Sequence, residues 1–231
     1  MSAIRLGTRA STLATTQSEM VAGLLRSEGL DVNLTTITTH GDTSTASLAA
    51  MGGIGVFASA IRAALLEGEA DIAVHSFKDL PTGRPLGLAI GAVPARADPR
   101  DALVARDGLT LHDLPQEASV GTGSPRRAAQ LLAVRTDLTI VDIRGNVDTR
   151  LGRVKGLGRY AKNGGKEDLD AVVLAASGLA RLGHSGAVTE FLDPSVVLPA
   201  PAQGALAVEC RTADSRHGKL AKALARIDDR R

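Results

Sequence analysis

The chain has 231 residues, 44% of them hydrophobic, and its 27 Lys and Arg against 25 Asp and Glu leave a formal net charge of +2. That length suffices for two compact domains or one large one, each with a packed core. Three phenylalanines, one tyrosine and no tryptophan leave almost no stacking platform for single-stranded nucleic acid, which is excluded as a partner. No apolar run approaches the ~20 residues of a membrane helix, and the start MSAIRLGTRAS has no apolar secretory core. The single cysteine, Cys210, rules out an internal disulfide, and the histidines at 40, 75, 112, 184 and 217 show no ligand spacing around it. The expectation is a cytoplasmic, metal-free monomer that does not meet a membrane.

In chain order, alternating Ile4 and Leu6 predict a strand, residues 7–11 a loop, and Leu13, Met20, Val21 and Leu24 the apolar face of a helix capped by Ser11. A strand is expected over Val32 to Thr38. A glycine-rich turn (Gly52, Gly53, Gly55) then leads to a helix with Phe57, Ile61 and Leu65 on one face, ended by Gly68. Residues 70–76 are short, β-branched and apolar, as a buried parallel strand should be, and Lys78 and Asp79 follow its carboxyl end. From Asp98 the cycle repeats: a strand near Leu103, a loop over 121–124, a helix to Val134, and strands over 138–143 and 170–176. GTRAS (7–11) echoes GTGS (121–124), and DIAVHS (71–76) echoes DAVVLAAS (170–177). Two similar α/β lobes follow, joined near 95–100 and again near 197–203, with a cleft between them.

In GTGSPRR, Ser124 is placed as N-cap and Pro125 as first helical residue, so Arg126 and Arg127 fall where backbone N–H groups already favour an anion. In RGNVDTR, Arg144 and Asn146 sit at a strand end and Arg150 opens the next helix. Together with Arg9, these guanidiniums map to one rim and suit a ligand with many carboxylates or phosphates. The lack of a G-x-x-x-x-G-K-[ST] loop argues against a nucleotide. Asp79 beside Lys78 offers a carboxylate able to hold a developing cation or relay protons. Cys210 lies in the apolar strand ALAVEC and reads as a small buried hydrophobe.

HSFKD (75–79), ADPRDA (97–102), GTGSPRR, RGNVDTR and LPAPAQGALAVECR (198–211) occur in the order found in hydroxymethylbilane synthases (porphobilinogen deaminases), and the chain resembles that family over most of its length. The resemblance implies a transferase of porphyrin (heme) biosynthesis. Four porphobilinogen units are joined head to tail, with loss of ammonia, onto a covalent dipyrromethane cofactor, and water releases linear hydroxymethylbilane. It implies α/β lobes like those of type 2 periplasmic binding proteins, mixed sheets flanked by helices, with domain 1 as 1–96 plus 199–231 and domain 2 as 97–198. By motif, Asp79 is the catalytic carboxylate. Ser76, Lys78, Thr122, Ser124, Arg126, Arg127 and Arg150 match cofactor-contacting positions. Arg9, Ser11, Gln17, Phe57, Arg144, Asn146 and Gln203 match positions around substrate and growing polypyrrole. The family's third domain, whose cysteine carries the cofactor, has no counterpart here. Ile54 stands where lysine is common, Gly123 where serine is, His40 where arginine is, and 155–166 reads as an insertion. Three readings stay open: a piece of a working synthase, a shortened inactive homologue, and a non-enzymatic polycarboxylate binder.

Overall fold

The computed structural model describes residues 3–37, 56–83 and 85–230, with the Val56 and Phe57 side chains excepted. It forms two compact units, Met1–Ala97 with Ala205–Arg231, and Asp98–Gly204. The expected boundary at 198/199 therefore moves to 204/205. The cause is local: the Gln203 amide donates to Pro99 O at 2.7 Å and Asp101 Oδ1 at 2.7 Å, tying the strap before Ala205 to the second unit.

The first unit is a five-stranded sheet. Strand β1 (Ile4–Thr8) lies between β2 (Val32–Thr36) and β3 (Ile72–Ser76), parallel to both. Beyond β3 come β10 (Leu206–Arg211) and β4 (Leu88–Ala92), with β10 antiparallel to each neighbour. Helices α1 (Thr12–Ser27) and α6 (Gly218–Ile227) bury Val21, Ala22, Leu25 and Leu224 against Leu6, Ile72, Val74 and Val208. Helix α2 (Val56–Leu66) covers Ala73 and Leu88 with Ile61 and Leu65. Both faces of β3 are thus covered, which is why 72–74 reads as an unbroken apolar run. Gly68, with φ +75°, takes the left-handed conformation that ends α2.

One expected face is corrected. Met20 and Leu24 are exposed on α1, whereas Gln17, Ser18, Val21, Ala22 and Leu25 are buried. Small Ser18 and Ala22 let the helix lie close on the sheet, and this rotates the apolar pair outward. The strand expected over 32–38 stops at Thr36, and its last two expected residues part company: Ile37 still bonds to Thr8 O, while Thr38 lies outside the described residues, as do the 52–55 turn, His40 and Ile54.

The second unit repeats the plan. Strand β6 (Ser119–Gly121) lies between β7 (Thr139–Val141) and β8 (Ala171–Ala175), parallel to both, and β5 (Asp101–Ala105) runs antiparallel to β8 and to β9 (Glu190–Phe191). Leu131 of α3 (Pro125–Val134) packs with Leu103 and Val173 on one face. Leu151 of α4 (Val147–Leu151) and Leu179 of α5 (Ala176–Arg181) pack with Val104 and Val172 on the other. The sheet orders β2-β1-β3-β10-β4 and β7-β6-β8-β5-β9 superpose β1 on β6 and β3 on β8, so both sequence echoes fall at equivalent places. The strand expected over 138–143 shrinks to three residues because it is the sheet edge. Among the described residues no helix is long and apolar enough to cross a membrane.

Candidate functional site

In the first unit the expected residues gather at the carboxyl ends of β1 and β3. Ser11 caps α1, its hydroxyl accepting from Ala14 N at 3.4 Å, and the half-buried Arg9 precedes it in the same loop. Gln17, on the buried face of α1, donates from Nε2 to Ser76 Oγ at 3.1 Å, so two residues 59 positions apart in sequence meet. Immediately after β3 the chain makes one turn of 3-10 helix, Phe77–Asp79, anchored by Phe77 N donating to Ala205 O. Lys78 is half-buried there and Asp79 is exposed.

Below this turn is a set of groups that motif spacing did not reveal. The buried Glu209 carboxylate accepts from Arg62 Nη2 at 2.9 Å on Oε1 and from Nε at 3.0 Å on Oε2, and His75 Nε2 lies 3.3 Å from the same Oε2. Burial pushes the Glu209 carboxyl up, but the nearby His75 and the Arg62 hydrogen bonds more than offset it and leave it below the usual range. The available signal was a glutamate inside the apolar run ALAVEC, which a buried strand tolerates only with a partner.

In the second unit the GTGS segment leaves β6 and starts α3. Thr122 N donates to Val141 O at 2.9 Å, Thr122 Oγ1 accepts from Ser124 N at 3.2 Å, and Ser124 Oγ accepts from Arg127 N at 3.4 Å as the N-cap ahead of Pro125. A Cβ at Gly123 would stand 2.7 Å from Ile143 O, so glycine here permits a close approach to backbone.

The two arginines of α3, placed in the first helical turn as expected, both meet a buried carboxylate. Arg127 is buried, its Nη2 2.7 Å from Asp101 Oδ1 and its Nη1 donating to Val173 O at 3.2 Å. Arg126 Nη2 donates to Asp101 Oδ2 at 2.7 Å, and its Nη1 to Leu198 O. Asp101 was missed, although ADPRDA contained it. The Asp101 carboxyl is pushed up by burial but brought below the usual range by Arg127, Arg126 and Gln203. Gln203 is sealed, at 1% exposure, its Nε2 on Asp101 and its Oε1 3.5 Å from Arg127 Nη2. It stands behind the arginines rather than at the surface.

At the end of the neighbouring β7, Asn146 caps α4 by accepting from Thr149 N at 2.8 Å, and Arg150 Nε donates to Gly145 O at 2.8 Å. Arg144 is half-buried beside them. His184 Nε2, 2.6 Å from Asp148 Oδ1, steadies α4, and Tyr160 from the 155–166 segment meets the His184 ring edge-on. Of the expected arginine rim, four members thus belong to the second unit and Arg9 to the first. The Phe57 side chain lies outside the described residues.

Cys210 is buried in the core of the first unit, and burial, with Asp214 nearby, pushes its thiol up to about 11. A thiol in that state is a poor nucleophile for any covalent attachment.

A family model described as porphobilinogen deaminase, dipyromethane cofactor binding domain, matches residues 4–219. A porphobilinogen deaminase of Micrococcus luteus is 55% identical over 249 residues, covering 100% of this chain and 66% of that protein. Its counterpart from Leifsonia xyli subsp. xyli is 58% identical over 228 residues, covering 98% and 66%. The chain therefore spans slightly less than two thirds of the length of these relatives. Among solved structures, an ABC transporter periplasmic substrate-binding protein from Coxiella burnetii superposes with a TM-score of 0.54 at 18% identity, over 97% of this chain and 91% of that one. A nutrient binding protein from Burkholderia cenocepacia, bound to methionine, gives 0.55 at 16%, over 96% and 91%. At that identity the likeness is one of fold: the α/β plan of type 2 periplasmic binding proteins.

Proposed function

Since this chain belongs to the porphobilinogen deaminase family, we propose that it serves the stepwise head-to-tail joining of four porphobilinogen molecules into linear hydroxymethylbilane, with loss of ammonia, as a cytoplasmic transferase. The observation that carries this reading is the placement of HSFKD, GTGSPRR and RGNVDTR just past the carboxyl ends of strands β3, β6 and β7, in two sheets of one plan. Strand ends of open α/β sheets are where such folds bind ligands.

The donor set fits a dipyrromethane group, whose acetate and propionate arms call for guanidinium, ammonium and hydroxyl donors. Lys78, Ser76, Thr122, Ser124, Arg126 and Arg150 would hold it, with the buried Arg127 supporting Arg126 from behind. Bound, it supplies the two-ring primer on which the product is built. The buried thiol of Cys210 does not fit as its anchor. Arg9, Ser11, Gln17, Phe57, Arg144, Asn146 and Gln203 would line or support the place of substrate and growing chain. Asp79, exposed at the end of its 3-10 turn, would face pyrrole nitrogens, balance their developing positive charge and pass protons. The half-buried Lys78 precedes it in the same turn.

The test is the intact mass of the purified chain under denaturing conditions, together with porphobilinogen binding by calorimetry, for the wild type and Asp79→Asn. Saturable binding at the bare chain mass is expected, with binding kept but pyrrole coupling lost in the variant. Absence of binding would overturn the reading.

A further inference from the structure

The buried carboxylate of Asp101 has so far no part in the reading above, yet it meets both arginines of the α3 turn. Resting on the reading that this site takes pyrrole carboxylates, we infer that Asp101 is a positioning residue: it fixes Arg127 as an internal support and leaves Arg126 as the movable guanidinium that accepts one carboxylate of the ligand.

The two arginines differ in how they are held. Arg127 has 8% of its side chain exposed and is engaged by Asp101 Oδ1 at 2.7 Å, Val173 O at 3.2 Å and Gln203 Oε1 at 3.5 Å. Arg126 has 27% exposed and is held by Asp101 Oδ2 at 2.7 Å and by Leu198 O. Asp101 itself is fully enclosed. Withdrawing Arg127 would strand a buried carboxylate with Gln203 and Arg126 and leave Val173 O unmet, a large penalty in a dry interior. Withdrawing Arg126 leaves Asp101 still paired with Arg127 and bonded to Gln203, and frees a guanidinium that already reaches solvent. A ligand carboxylate can therefore exchange with Asp101 for Arg126 alone.

Charge sets the selectivity. Two guanidiniums against one fixed carboxylate present a single net positive charge, which suits a carboxylate better than a phosphate dianion. Without the Asp101 charge the same turn would present two, and the preference would move toward phosphate.

The experiment follows the arginine Nε–H signals of the 231-residue chain by NMR during titration with porphobilinogen and, separately, with inorganic phosphate. In the wild type the Arg126 signal should shift with porphobilinogen while Arg127 stays in place. In Asp101→Asn both guanidiniums should turn freely even without ligand, porphobilinogen should bind about tenfold more weakly, and phosphate should gain relative to it. A shift at Arg127 in place of Arg126, or a folded Asp101→Asn with unchanged guanidinium signals and affinity, would overturn the inference. Should that variant not fold, Arg126→Gln keeps the Arg127 pair: it should retain the fixed Arg127 signal and lose affinity, and wild-type affinity there would equally overturn it. If porphobilinogen moves no signal while Arg127 is fixed in the wild type and freed in Asp101→Asn, the proposed function fails and the positioning role of Asp101 stands.

Discussion

At the scale of single residues, what a side chain does here depends on what lies behind it. Ser11 and Ser124 were legible as caps because an N-cap is set by local chain geometry. The linkage of Gln203 and Asp101 was not, because Asp101 lies 25 and 26 positions from its arginines and 102 from Gln203, and no spacing rule spans that. Cys210 was read correctly as a core residue from its apolar strand. Its raised thiol gives a direct check: at pH 8 the native chain should resist iodoacetamide, and denaturant should expose one fast-reacting thiol, both followed by intact mass. Rapid labelling of the native chain would contradict the burial. Gly123 gives another. The substitution Gly123→Ser drives a Cβ against the Ile143 carbonyl. It should cost about 1–3 kcal/mol, read as a lower midpoint in urea, with loosening of the Thr122–Ser124 turn.

At the scale of elements, hydrophobic period identified most strands and helices, and failed where an element is short or sits at an edge. Strands β4 and β9 were not anticipated: β9 has two residues, and β4 is an edge strand interrupted by Gly91. The wrong face of α1 has the same root, since period alone locates an apolar stripe while packing selects the small residues beside it. Elements are also joined by charge. Asp71, ahead of β3, accepts from Arg5 N at 2.9 Å and Arg5 Nη2 at 2.8 Å in β1, and from Arg211 Nη2 at 3.0 Å in β10. Burial raises its pKa, and the bonds from Arg5 and Arg211 outweigh that, bringing it down to about 2, below the usual carboxylate range. A depressed carboxylate stabilises the fold above its unfolded pKa, and that contribution fades as pH falls from 4 toward about 2. Asp71→Asn should therefore lose about 2 kcal/mol at pH 7 and lose less as the pH is lowered through that window, measured by urea unfolding at successive pH values. A loss independent of pH would show the ion pairs to be irrelevant.

At the scale of the whole molecule, the internal echo in the sequence foretold two units of one plan, because loop-opening and strand motifs recur at equivalent sheet positions. The exact crossing point was hidden, since it depends on the bonds of Gln203 rather than on the proline content of 199–203. The second unit is one continuous stretch with its own sheet and two apolar layers. Residues 98–204 expressed alone should give a cooperative thermal transition by circular dichroism, whereas 1–97 alone should not, because its sheet lacks β10. Cooperative melting of 1–97 would refute this.

The position of β10 reaches beyond stability to the order of events at the ribosome. Emerging last among the strands, it is the piece that joins β3 to β4 in the first sheet. During synthesis the early half of the chain must wait, with β4 unpaired and the edge of β3 open, while the inserted unit is made and closes on itself. The nascent chain thus carries an unfinished sheet for more than a hundred residues of elongation. During that interval it is most exposed to strand-by-strand aggregation with its neighbours on the same message.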